Sequence, residues 1–152
     1  MEARKKSPIL PLKEAETGFS TETGKFRVAM AAWEIGRSAS GLGSKVGGLG
    51  VVVEELPPAL CEAATRKGLN LEVVTLSPCF AYHDRQKMVR LDMHLPVTLD
   101  GHTFTFEAYE HIFPDGQKVV YFWDELQLGW TTPTSIYPLD PHMSCRLYAA
   151  VG

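Results

Sequence analysis

The stretch that most limits what this chain can fold into is Lys45-Val46-Gly47-Gly48-Leu49-Gly50. It separates an apolar run, Phe26 to Trp33, from a longer segment with apolar residues at positions 49, 52, 53, 56, 59, 60, 63 and 64. The first run predicts a strand buried on both faces in a parallel sheet. The second has the spacing of one helix face. A glycine-rich turn between strand and helix lets the backbone approach a ligand closely. It also points the first N–H groups of the helix, and the positive end of its dipole, at that ligand. Lys45 adds a mobile positive charge suited to phosphate. The segment therefore predicts an anion cradle for a diphosphate or a phosphorylated sugar, with Lys45, Gly47, Gly48 and Gly50 as its residues.

The elements around the cradle fit an α/β domain. Pro57-Pro58 should bend or break the helix, and Lys67-Gly68 should stop it. Leu71 to Leu76 reads as a second strand ended by Ser77-Pro78, so the opening unit is βαβ with its loop at the carboxyl end of the first strand. Asp100-Gly101, between Leu91–Leu99 and the alternating His102–Tyr109, is a hairpin signal. Pro114-Asp115-Gly116 is a second turn, and Lys118 to Trp123 is a strand apolar enough to return to the main sheet. The prediction is a Rossmann-like parallel sheet carrying an inserted antiparallel β-meander. Asp124 to Met143 reads as loop, and Ser144 as the cap of a last helix to Val151.

Composition narrows the possible partners. The 152 residues suit one domain, with 45% hydrophobic and 22% charged residues. Residues 1–25 lack periodicity and read as a flexible tail, leaving 26–152 as the domain. The net charge of -3 argues against nucleic acid as the main partner, and the basic run Arg4-Lys5-Lys6 reads as part of the solvated tail. No apolar run spans a bilayer. The charged, proline-bearing start does not resemble a secretory signal, so the expected compartment is the cytoplasm. Cys61, Cys79 and Cys145 have neither disulfide arithmetic nor zinc spacing, and Cys61 is expected in the core.

Other chemistry finds little support. Lys45 follows Ser44 and precedes Val46, which fails the Walker A pattern. G-x-G-x-x-G started at Gly41 puts Val46 at the third glycine, and started at Gly48 it puts Val53 there. His83, His94, His102, His111 and His142 are scattered. Only His94 and His102, flanking a hairpin, have a chance to meet, so no metal site is expected. No catalytic triad or paired carboxylate emerges from spacing. Tyr82, Trp123 and Trp130 are candidates to stack on sugar rings, against ordinary core packing as the plainer role.

Lys45 to Gly50, followed by Leu56-Pro57-Pro58-Ala59-Leu60, resembles the amino-terminal signature K-x-G-G-L-x-D … L-P-x-A-L of bacterial and plant glycogen and starch synthases. Ser77-Pro78-Cys79-Phe80, Val119 to Asp124, Ile136-Tyr137 and Arg146 resemble later landmarks of that family, in the same order. Val51 stands where the family has aspartate, and the connection from Glu34 to Lys45 is longer than usual. The resemblance implies the amino-terminal half of a GT-B domain, incomplete because the family's second domain and its H-D-W-type histidine segment lie beyond Gly152. It also implies retaining transfer of glucose from ADP- or UDP-glucose to the 4-OH of an α-glucan, with no metal and no cofactor beyond the nucleotide sugar. The alternative is an inactive carbohydrate- or phosphate-binding remnant. No catalytic residue is assigned within this chain.

Overall fold

The computed structural model describes residues 24–44, 47–99 and 101–138. Lys45, the tail through residue 23, Cys145, Arg146, His142 and the helix expected after Ser144 lie outside the described residues. Five strands form one mixed sheet: β1 (Phe26–Ala31), β2 (Leu71–Pro78), β3 (Val89–Leu99), β4 (His102–Ile112) and β5 (Lys118–Trp123). Their order is β1-β2-β5-β4-β3. β1, β2 and β5 are parallel, with Phe26 opposite Leu71 and Val74 opposite Lys118. β3 and β4 are antiparallel additions beyond β5. The meander expected from the sequence is thus an extension of the same sheet, and it forms the connection from β2 to β5.

The turns follow from their residues. Leu99 pairs with His102, which leaves a two-residue loop, and Gly101 takes φ 75° as a tight hairpin demands. At the next turn the Gly116 N–H donates to Phe113 O at 2.8 Å and Phe113 N–H to Gln117 O at 2.9 Å.

Helix α1 (Leu49–Arg66) runs unbroken through Pro57 and Pro58, which corrects the expected break. Proline removes one backbone donor, so the Val53 carbonyl has no helical partner from residue 57. The buried Gln117 side chain supplies one, Nε2 donating to Val53 O at 2.9 Å. A helix tolerates proline when another group takes the freed carbonyl. The helix buries Gly50, Val53, Pro57 and Ala64. Cys61 is only half-buried.

Two other expectations need correction. β1 ends at Ala31, and four of its six residues are exposed. Its apolar composition records what it is able to bury, while among the described residues only β2 pairs with it. Within 124–138 there is a single helical turn, α2 (Glu125–Leu128), whose amino end is capped by Asp124 accepting from the Gln127 N–H at 2.9 Å. His94 lies opposite Glu107 and His102 opposite Leu99, so the two histidines do not face each other.

The core gathers at the carboxyl ends of the parallel strands. Trp33, Ile35 and Leu42 come from the segment after β1, Cys79 and Phe80 from the segment after β2, and Trp123, Leu128 and Ile136 from the end of β5 and beyond. Connecting segments are usually superficial because their backbone needs water. Here the backbone is satisfied internally: the Tyr121 hydroxyl donates to Leu42 O at 3.0 Å, and Ile35 N–H donates to Ser44 Oγ at 3.0 Å.

Candidate functional site

The loop from Glu34 to Ser44 is held by contacts to the rest of the fold. Arg37 sits in the left-handed region at φ 55° and fastens the loop to the β4–β5 turn. Its Nε and Nη2 donate to Gln117 Oε1 at 3.2 and 2.9 Å. Nη2 also pairs with Asp115, the guanidinium lies 4.7 Å from the Phe113 ring centre, and the Arg37 N–H donates to Glu54 Oε2 at 3.1 Å. Burial works against ionisation of Asp115, but the Arg37 guanidinium and the Gln117 N–H outweigh it and hold its carboxyl below the usual range. Gly43 passes so close to the loop's other strand that a Cβ there would lie 1.8 Å from Gly36 O.

Each predicted cradle residue has a definite place apart from Lys45, which lies outside the described residues. The Gly47 N–H donates to Glu34 Oε2 at 2.7 Å, and Tyr137 donates its hydroxyl to Glu34 Oε1. Glu34 is only 4% exposed. The donor expected to meet a ligand at Gly47 is therefore given to a protein carboxylate. Gly48 caps α1 without any side-chain cap. A Cβ on Gly48 would meet nothing within 4 Å, and one on Gly47 would make only ordinary contacts from 3.5 Å outward. The described fold gives no steric reason for glycine at either position, whereas a closely approaching ligand would. Gly50 is buried, and its carbonyl accepts from the Gly36 N–H at 2.8 Å.

Sequence reasoning missed Glu34, Arg37 and Gln117, and it marked Tyr137 only as a family landmark, without its tie to Glu34. The remaining candidates divide. Trp123 is core, with the Arg85 guanidinium 4.1 Å from its ring centre. Trp130 packs against the core and donates Nε1–H to Gln127 O at 2.7 Å. Tyr82 lines a cavity beside the loop. His83 is buried and neutral: burial lowers its pKa to about 4, helped by the Arg85 charge and opposed by the Gly43 carbonyl. Cys79 is the reverse case, its thiol pushed up to about 12 by burial. Among the described residues no three His, Cys, Asp or Glu side chains are grouped to hold a metal, and no helix is long and apolar enough to cross a membrane.

A mixed sheet whose first parallel strand leads through a glycine loop into an uncapped helix defines a Rossmann-like α/β domain. The family model described as starch synthase catalytic domain matches residues 27–143. The chain belongs to that family. No curated protein matches it. Among solved structures it is similar to the catalytic domain of starch synthase IV from Arabidopsis thaliana bound to ADP and acarbose, with a TM-score of 0.57 and 21% identity. That match covers 84% of this chain and 24% of the other, so the chain spans about a quarter of its neighbour's length.

Proposed function

We propose that the chain supplies one wall of a cleft in which glucose passes, with retention, from ADP- or UDP-glucose to the 4-OH of an α-1,4-glucan. The observation that carries this reading is the pair Gly47-Gly48. They stand at the carboxyl end of the first parallel strand, at the uncapped start of α1, with space that the described fold leaves unfilled. The starch synthase neighbour was solved with ADP and acarbose, which supports a nucleotide sugar and a glucan as the two ligands here.

In such a transfer the anomeric carbon becomes oxocarbenium-like and the leaving diphosphate gains negative charge. Groups aimed at that charge do much of the catalysis. In our reading Lys45 faces the distal phosphate, and the start of α1 adds its dipole and N–H groups. No metal is invoked. Glu34 accepts the Gly47 N–H, so its carboxylate positions the loop. The free thiols Cys61 and Cys79 suit a reducing compartment such as the cytoplasm.

A second reading is a module that binds carbohydrate or phosphate without transfer. Val51 favours it, because an apolar side chain stands where the family signature has a carboxylate. One assay separates the two: the chain is incubated with ADP-glucose or UDP-glucose and a maltooligosaccharide, and acceptor length is measured. Elongation, reduced ~10²-fold in kcat/KM by Lys45→Ala, supports the transferase. Binding of both ligands without elongation supports the module.

A further inference from the structure

The two edges of the sheet are finished differently. β3, at one edge, carries Pro96 and a break of register between Arg90 and His94. Both devices blunt an edge against a further strand. β1, at the other edge, has no proline and an unbroken register with β2. The Phe26 and Ala32 N–H groups donate toward β2, to Asn70 O at 2.8 Å and Leu76 O at 2.9 Å. Alternation along the strand then turns the N–H and C=O groups of Arg27, Ala29 and Ala31 away from β2. Among the described residues no strand takes them. An open row of this kind is a template for another strand.

The surface beside that edge is apolar. Gln117 Nε2 reaches both Val53 O on α1 and Thr75 Oγ1 on β2, so Thr75 points to the face that α1 covers. Val28 lies beside Val73 and Met30 beside Thr75, which puts Phe26, Val28 and Met30 on that same face. Val28 is 43% exposed, and Leu49, Val52, Leu56 and Leu60 of α1 are exposed as well. At about 100° per residue these four fall within an arc of roughly 80° on one flank of the helix. Glu54 lies on the opposite flank, where it accepts the N–H of Arg37, the residue fastened to the β4–β5 turn. The apolar flank of α1 therefore faces the β1 edge, and the two form one exposed apolar surface of the kind that marks an interaction site.

We propose that this surface binds a second copy of the same chain, with β1 pairing antiparallel to its counterpart about a two-fold axis at Val28. The sequence of β1 selects that register. An axis at Arg27 would set like charges directly opposite each other, which destabilises a strand pair. An axis at Ala29 carries Phe26 past the end of the facing strand. At Val28 the axis sets Val28 opposite Val28, Phe26 opposite Met30 and Arg27 opposite Ala29, while Arg27 keeps its own Glu72 carboxylate at 3.0 Å. Arg27 and Ala29 of the two copies then exchange their outward N–H and C=O groups. The same axis, normal to the sheet, places both α1 helices on one face with their apolar flanks toward each other. The surface is thus complementary to itself, as an isologous interface requires. A strand of six residues and a helix of 18 are about 20 and 27 Å long, and a strand layer with a helix layer is about 20 Å deep. The footprint is roughly 500 Å² per copy, at the lower bound of specific interfaces, which suits a reversible dimer.

The test is sedimentation velocity of the full 152-residue chain from about 1 to about 500 μM. The mean mass should rise from one chain to two and stop there. Leu56→Lys, on the exposed flank of α1, and Val28→Lys should each weaken the dimer at least ~10-fold. Leu56→Lys serves should Val28→Lys fold poorly. Register is read by cross-linking in oxidised glutathione. Val28 faces its counterpart as a non-hydrogen-bonded pair, with Cα atoms about 4.5 Å apart and within disulfide reach, so Val28→Cys should give a covalent dimer. Leu126→Cys, 81% exposed on α2, should give no more than the wild-type chain does. A monomer at every concentration overturns the proposal. So does growth beyond two chains, because a two-fold contact closes. A dimer indifferent to both lysine variants, or equal cross-linking at positions 28 and 126, removes β1 and α1 from the contact.

Discussion

Gln117 Nε2 donates to the Val53 carbonyl at 2.9 Å, the carbonyl that Pro57 deprives of its helical donor. The same buried amide contacts Thr75 Oγ1 at 3.4 Å and accepts from Arg37. One side chain thus joins the β4–β5 turn, α1, β2 and the glycine loop.

Replacing Gln117 by leucine strands the Val53 carbonyl and the Arg37 guanidinium together. The loss expected in urea denaturation is roughly 2–4 kcal/mol. Pro57→Ala restores a backbone N–H to Val53 O, so it should recover part of that loss in the leucine background. The double-mutant cycle should show coupling of about 1 kcal/mol. Strict additivity would mean that Gln117 is not the proline's compensation.

Glu34 makes a comparable tie at the cradle. Glu34→Gln puts an NH₂ group where an acceptor faces the Gly47 N–H or the Tyr137 hydroxyl. We expect a loss of about 1–2 kcal/mol and at least ~10-fold faster hydrogen exchange at the Gly47 amide. Unchanged exchange at Gly47 would remove Glu34 from loop positioning.

These two ties mark the limit of what the sequence revealed. The strands, α1, the two hairpin turns and the glycine loop were legible because each is written in local spacing. Asp100-Gly101 needs only its neighbours to announce a turn. Glu34 reads as an ordinary charged residue entering a loop, since its partner Tyr137 is 103 positions away. The indole of Trp33 likewise reaches Ile136 O, 103 positions away. The rule that proline breaks helices failed at Pro57 because its remedy, Gln117, lies 64 residues beyond Val53, the residue whose carbonyl it serves. β1 was expected buried from its composition, but burial depends on what packs against a strand, which its own residues do not state. At the candidate site, the position of the glycines was legible and the carboxylate holding them was not.

Two glycines of the loop should respond oppositely to alanine. A Cβ at Gly43 would lie 1.8 Å from Gly36 O and 2.4 Å from Arg37 C and Ser38 N, all backbone atoms. Gly43→Ala should therefore cost about 3 kcal/mol and collapse the cavity. Gly48 has open space at its Cβ position, so Gly48→Ala should leave the melting temperature nearly unchanged, within ~0.5 kcal/mol. It should weaken nucleotide-sugar binding if a ligand fills that space. Calorimetric unfolding and ligand titration of both variants check this, and a wild-type response of Gly48→Ala in both would make Gly48 a simple connector.

His83 should set the stability of the fold in mild acid. It is 4% exposed, surrounded by Phe80, Tyr82 and Tyr121 at ring-centre distances of 5.4, 4.9 and 5.5 Å. Its Nδ1 accepts the Phe80 N–H at 3.3 Å. Burial, aided by the nearby Arg85 charge, lowers its pKa to about 4, against about 6.5 in an unfolded chain. Between those values the unfolded chain binds the extra proton and the folded one does not, so stability falls as pH falls. The contribution is complete above about pH 6.5 and lost on descending to about pH 4, for a total of up to about 3 kcal/mol. Asp115 and Glu72, both held below the usual carboxylate range, act only at lower pH. Urea midpoints measured from pH 7.5 to 4 should fall steeply in wild type. His83→Gln keeps an acceptor for Phe80 and cannot titrate, so its profile should be flatter across that range. An equally steep profile in the variant would assign the acid sensitivity to another group.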